Sequence, residues 1–361
     1  MSLLFSATRL GSLTLQNRLV MAPMTRNRSI GNLPNDSVVQ YYAQRASAGL
    51  IITEGTSPAA NGLGYARIPG IFSAAQVAEW KRVTDAVHAK GAKIFMQFMH
   101  CGRIGHPLNL PAGARLLGPS AIAAAGQIHT DAEGMKAHPV PEAMTEADLK
   151  STKEEFVQAA KNALAAGFDG VELHGANGYL LEQFIRPNSN QRTDQYGGPI
   201  ENRARFVLEV VDAVIAAIGR DKVGIRLSPS GVFNDMAPLA LDAMEADYTY
   251  LAEQLNARGV LYIHLVDQSA MGAPPVPESL RAKLRSVFKG ALIFVGNYDA
   301  ARAESDLAAG KCDLIAVGRQ FLANPDLPAR WKAGAALNAP DFSTFYAAGE
   351  KGYTDYPALG G

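Results

Sequence analysis

Cysteine is scarce in this chain of 361 residues: Cys101 and Cys312 are its only two, far apart in sequence and without metal-type spacing. An iron–sulfur cluster, which takes about four thiolates, is thereby excluded, and two thiols in so long a chain fit a reducing compartment. An excess of charge is missing too. Thirty-four basic residues balance 34 acidic ones with no long run of either sign, so nothing advertises nucleic acid or an anionic membrane surface. No apolar stretch reaches the ~18 residues of a membrane-spanning helix. The first residues, Met-Ser-Leu-Leu-Phe-Ser-Ala-Thr-Arg, lack the basic start and apolar core of a secretory signal. The expectation is a soluble cytoplasmic protein, and 48% hydrophobic residues give it a sizeable core.

A glycine fingerprint G-x-G-x-x-G after the first strand is also absent, which lowers the case for an open dinucleotide-binding sheet. What is present is alternation. Residues 3–16 read as two short strands around Gly11, an N-terminal hairpin within residues 1–17. Strands are then predicted at Arg18–Met24, Leu50–Thr56, Lys93–Met99, Gly170–Leu173, Val223–Leu227, Leu261–Val266, Leu292–Val295 and Leu314–Val317. Helices are predicted between them at Asp36–Ser47, Ala74–Lys90, Glu146–Ala166, Glu201–Ile218, Met244–Arg258, Glu278–Phe288, Asp299–Ala309 and Pro325–Ala333. Thr145 with Asp148 forms a capping box, Asn324-Pro325 supplies a cap and first-turn proline, and Gly167, Gly219 and Gly259 mark helix ends. Eight strands alternating with eight helices require parallel pairing, and point to an α/β fold, the (β/α)8 TIM barrel, as one domain over residues 1–361. The long irregular segment 101–144, rich in Gly, Pro and Ala, is expected to cap the active face.

Catalytic residues of such barrels stand at the C-terminal ends of the strands. Here those ends carry Pro23, Met24 and Thr25, then Gly55, Gln97, His174 with Asn177, Arg226, Gly296-Asn297 and Gly318-Arg319. This is a hydrogen-bonding lining without a carboxylate pair; Glu172 is expected to point away from His174. Of seven histidines only His100 and His174 fall near strand ends, too few for a zinc site, so no metal is expected. Glycines at the ends of strands seven and eight, with Arg319, suit a phosphate. Arg226 ends an apolar strand, and a buried lone cation needs a carboxylate neighbour or a ligand that becomes anionic. The stretch His174-Gly-Ala-Asn177-Gly-Tyr179 could grip a carbonyl with two neutral donors and deliver a proton beside it. It also suits a helix N-cap with a satisfied core histidine.

Three longer motifs settle on a family. Met21-Ala-Pro-Met-Thr-Arg26, His174-Gly-Ala-Asn-Gly-Tyr-Leu-Leu-Glu-Gln-Phe184, and Arg192-Thr-Asp-Gln-Tyr-Gly-Gly198 with Asn202-Arg203 resemble the Old Yellow Enzyme family. The ending Gly352-Tyr-Thr-Asp-Tyr-Pro357 is similar to its bacterial ene-reductase branch, which includes N-ethylmaleimide and nitrate-ester reductases. The resemblance implies a TIM-barrel oxidoreductase, monomer or homodimer, with non-covalent FMN over the barrel mouth and NADPH or NADH as hydride donor. Pro23, Met24 and Thr25 would line the flavin ring, with Gly55 and Gln97 at its pyrimidine portion and Arg226 by N1 and O2. Gly296, Asn297, Gly318 and Arg319 would hold the phosphate. His174 and Asn177 would bind the oxygen of an activated alkene. Hydride would pass through flavin N5 to the β-carbon, with Tyr179 as proton donor. Tyr65, Asn234 and Tyr346 would shape the substrate pocket.

The chain departs from the family pattern at Met99, where Trp is frequent, and at Asn234, where Gln is frequent. A more pliable pocket wall and a shorter polar reach follow. Cys101 reads as structural. Nitrate-ester or nitro reduction, and flavin binding without catalysis, are the alternative functions.

Overall fold

A computed structural model describes residues 2–360. Eight parallel strands close into a barrel: Leu19–Met21, Leu50–Ile52, Lys93–Phe98, Gly170–Gly175, Val223–Leu227, Tyr262–Val266, Ala291–Val295 and Leu314–Val317. They pair in chain order, and the eighth closes against the first. The first two are shorter than the sequence suggests, ending at Met21 and Ile52. The fourth is longer, running through His174 to Gly175. His174 therefore stands within the ladder, directly opposite Arg226.

Helices wrap the barrel because each carries one apolar stripe. Arg205–Ile218 buries Phe206, Val207, Val210, Val211, Val214 and Ile218, residues three or four apart on one face. Each contributes roughly 1.5–3 kcal/mol by leaving water. The capping box at Thr145 and Asp148 is present at the start of Glu146–Ala165. Gly167, Gly219 and Gly259 take positive φ just past helix ends, where a side chain would be strained. The predicted helix 201–218 is broken at Ala204 into Ile200–Arg203 and Arg205–Ile218. Asn324-Pro325 does not start the last helix. Leu327–Ala333 begins after Asp326 with Pro328 in its first turn, and Asn324 instead ends a short helix, Arg319–Ala323.

The N-terminal hairpin forms from Thr8–Leu10 and Leu13–Leu15 around Gly11. Segment 101–144 carries a second hairpin, Gln127–Thr130 with Gly134–Ala137, whose first strand reaches the barrel mouth. The C-terminal segment is pinned by cations and aromatic rings. Tyr353 stacks on Tyr41 at 4.1 Å, and Arg28 lies over Tyr353 at 4.5 Å. Arg26 donates to the Gly352 carbonyl at 2.7 Å and Arg28 to that of Thr344 at 2.8 Å. This clamp sets Phe342, Phe345 and Tyr346 at the rim of the mouth. No helix among the described residues is long and apolar enough to cross a membrane.

Candidate active site

A cavity of about 850 Å3 opens at the C-terminal ends of the strands. Pro23, Met24, Thr25, Gln97, His174, Asn177, Tyr179 and Arg226 all face it, as do Gly296, Asn297, Gly318 and Arg319. Tyr65 and Tyr346 stand at its edge; Asn234 lies behind Tyr65. Gly55 does not line it. A Cβ there would fall 2.4 Å from Met99 Sδ, so the glycine makes room for Met99, which forms that wall. Gly296 likewise answers to packing, since an added Cβ would meet Asp267 Cβ at 2.8 Å.

The turn after strand four is held tightly. Asn177 has a φ of 58°, a left-handed conformation that asparagine tolerates. Its backbone N–H donates to Ser228 Oγ at 2.8 Å. The buried Glu182 carboxylate accepts from Ser228 Oγ at 3.0 Å and from the Gly178 N–H at 2.7 Å. Gln268 Nε2 donates to Asn177 Oδ1 at 3.0 Å, which leaves the Asn177 amide nitrogen as the free end of that group. Tyr179 caps the short helix Leu180–Ile185, so the N-cap reading is right for Tyr179. The satisfied-histidine reading is not: His174 Nδ1 is buried without a hydrogen-bond partner among the described residues.

Burial, aided by Arg226 and His264, holds the His174 pKa well below its ordinary value, so the ring is neutral at pH 7. Tyr179 donates to the Tyr65 hydroxyl at 3.1 Å, and Asn234 Nδ2 donates to that same oxygen at 3.3 Å. Burial raises the Tyr179 pKa well above 10, so the phenol keeps its proton. Cys101 is buried outside the cavity, and burial pushes its thiol up as well.

One expectation fails. Glu172 does not point away from His174, because residues two apart on a strand share a face. It lies fully buried inside the barrel, accepting from Gln97 Nε2 at 2.8 Å and from His264 Nδ1 at 2.9 Å. Sequence reasoning also missed His264 and Gln268. The polar pair Asp267-Gln268 at the end of strand six was the available signal for the second.

Arg226 is buried, and its guanidinium makes no hydrogen bond and no ion pair among the described residues. Glu172 acts on it only through space. Together these groups fit a flat heterocycle with an imide edge and a phosphate tail. Gln97 and Arg226 offer an acceptor beside a cation, and Asn297, Gly318 and the exposed Arg319 lie along the same cavity.

Residues 3–338 match the NADH:flavin oxidoreductase / NADH oxidase family. A probable flavin mononucleotide-dependent alkene reductase of Leishmania infantum is 43% identical over 97% of this chain and 95% of its own length. The 12-oxophytodienoate reductase 1 of Oryza sativa subsp. japonica is 42% identical over 99% and 93%. The solved structure of morphinone reductase superposes with a TM-score of 0.95 at 46% identity, covering 99% of this chain and 96% of that one. An Old Yellow Enzyme homologue from Zymomonas mobilis gives 0.93 at 38%, covering 98% and 99%. The chain belongs to the NADH:flavin oxidoreductase / NADH oxidase family, within the Old Yellow Enzyme group that its motifs resemble.

Proposed function

We propose that this protein is an FMN-dependent ene-reductase, reducing the C=C bond of α,β-unsaturated carbonyls, imides or nitroalkenes with NADH or NADPH as donor. The observation that carries this reading is the grouping of two neutral donors, His174 and Asn177, beside a buried, protonated Tyr179 on one cavity wall. Bound FMN would supply what no side chain can, taking hydride from the nicotinamide and passing it to the alkene.

The residues do the rest. His174 and the Asn177 amide hold the carbonyl oxygen and stabilise the negative charge that gathers there, as an oxyanion hole does. Gln268 supports this by occupying Asn177 Oδ1. Tyr179 gives its proton to the α-carbon. Arg226 would meet the cofactor edge that gains charge on reduction, Pro23, Met24 and Thr25 would flank its ring, and Asn297, Gly318 and Arg319 would hold its phosphate. Tyr65, Tyr346 and the pliable Met99 bound the substrate space, with Asn234 holding Tyr65.

The test is the visible spectrum of the purified protein, followed without oxygen through addition of NADH or NADPH and then 2-cyclohexenone. Bleaching and recovery of a flavin spectrum is expected. Bleaching without recovery would shift the acceptor to nitro or nitrate-ester compounds. A colourless protein that takes up no FMN would end the reading.

A further inference from the structure

Four polar side chains, Gln97, Glu172, Arg226 and His264, meet inside the barrel beneath the cavity, each with 7% exposure or less. Strand register brings them there: Glu172 stands opposite Gln97, and Arg226 opposite His264. Glu172 Oε1 accepts from Gln97 Nε2 at 2.8 Å, and Oε2 accepts from His264 Nδ1 at 2.9 Å. Burial works against ionising this carboxyl, but His264, Arg226 and Gln97 outweigh it and hold its pKa below the usual range.

An ionised carboxylate can only accept hydrogen bonds. The Gln97 amide is therefore fixed: its nitrogen turns to Glu172, and its oxygen is left for the cavity that Gln97 lines. A ligand edge offering one N–H to that oxygen and one acceptor to Arg226 has the pattern of an imide, which the pyrimidine ring of a flavin carries. The same carboxylate places a negative charge in the dry space that Arg226 shares, where charges act strongly on one another. Reduction of the cofactor adds negative charge at that edge, and Glu172 opposes it.

We infer that Glu172 is a positioning residue that locks the Gln97 amide with its oxygen toward the cofactor and, by offsetting Arg226, lowers the reduction potential of bound FMN. This rests on the FMN reading of the cavity. Its test is Glu172→Gln, which keeps the shape and removes the charge. In the FMN-loaded variant the two-electron reduction equilibrium is expected to move about tenfold toward the reduced form, about 30 mV upward in a spectroelectrochemical titration. Glu172→Asp, which keeps the charge, is expected to stay near the parent potential. Loss of packing alone would loosen FMN or lower thermal stability without this charge-dependent pattern. Equal potentials in the parent and Glu172→Gln holoproteins would overturn the inference. Should Glu172→Gln fail to fold, His264→Leu takes its place. That variant strips from the carboxylate the neighbour that does most to keep it ionised, so the buried carboxyl is expected to take up a proton and the potential to rise as in Glu172→Gln, and an unmoved potential overturns the inference there too. Absence of FMN from the parent protein would defeat the flavin reading instead, so the two failures are separable.

Discussion

The Tyr179 hydroxyl donates to the Tyr65 hydroxyl 3.1 Å away, and the two rings meet edge to face at 6.1 Å. The contact directs the phenolic proton at Tyr65, and both tyrosines line the cavity. Burial keeps that proton in place across the working pH range.

Replacing the donor tests this geometry directly. Tyr179→Phe is expected to slow alkene reduction by roughly 100-fold or more, the usual scale for losing a general acid. Reduction of the flavin by NADH or NADPH should stay unchanged. Stopped-flow measurement of the two half-reactions separates them, and equal slowing of both would remove Tyr179 from the proton-donor role.

The oxygen grip makes a spectroscopic prediction. The double variant His174→Ala with Asn177→Ala removes both donors while leaving the cavity floor intact. Phenols should bind at least tenfold more weakly, the equivalent of about 1.4 kcal/mol, and lose their long-wavelength charge-transfer band with FMN. A band of unchanged strength would show that the ligand oxygen sits elsewhere.

Arg319 lies exposed on the cavity wall, where it faces the proposed phosphate. A hydrogen bond to a charged group is worth about 1.5–3 kcal/mol, so Arg319→Ala should weaken FMN binding roughly 10- to 100-fold. Riboflavin, which lacks the phosphate, should bind parent and variant alike. Titration of the apoprotein by flavin fluorescence decides; equal loss for both ligands would move the phosphate away from Arg319.

Glu54 makes a prediction about stability. Burial raises its carboxyl to about 7, against the pull of Arg26, Tyr42 and Arg28, and its Oε2 has no partner among the described residues. The folded state thus holds this proton more tightly than the unfolded chain. Its contribution is fully present below the ordinary value of 4.5 and is lost as the pH rises through 7, on the order of 3 kcal/mol in all. Glu54→Gln should flatten that decline between pH 5 and pH 8. Denaturant midpoints at the two pH values check it, and parallel declines would mean that Glu54 is not the titrating group.

The fourth strand shows how far the sequence could be read. Its apolar run was plain, but its end was set too early, because His174 looked like the first loop residue. Paired with Arg226 across the ladder, it is strand. Helix 201–218 was legible from its apolar period, yet the break at Ala204 was not, since no glycine or proline marks it. Gly55 and Gly296 illustrate a subtler limit. A glycine at a strand end reads as a place for a ligand; Gly55 instead yields space to Met99 away from the cavity, whereas Gly296 lines the cavity and also makes room for Asp267.

Alternation of apolar runs with helical periods was enough to specify an eight-fold barrel, because such a pattern can bury its strands only beneath helical crossovers. The local spacing His174, Asn177, Tyr179 was enough to mark one turn at the cavity, since those residues reach it from a single short segment. The company they keep was beyond the sequence. Glu172 meets His264 across 92 positions and Asn177 meets Gln268 across 91, contacts that exist only once the barrel has closed. Which buried groups are paired, which proton is held, and which amide end faces the cavity are settled by those long-range contacts. They depend on strand register and on exclusion of water, and neither is written in the neighbours of any one residue.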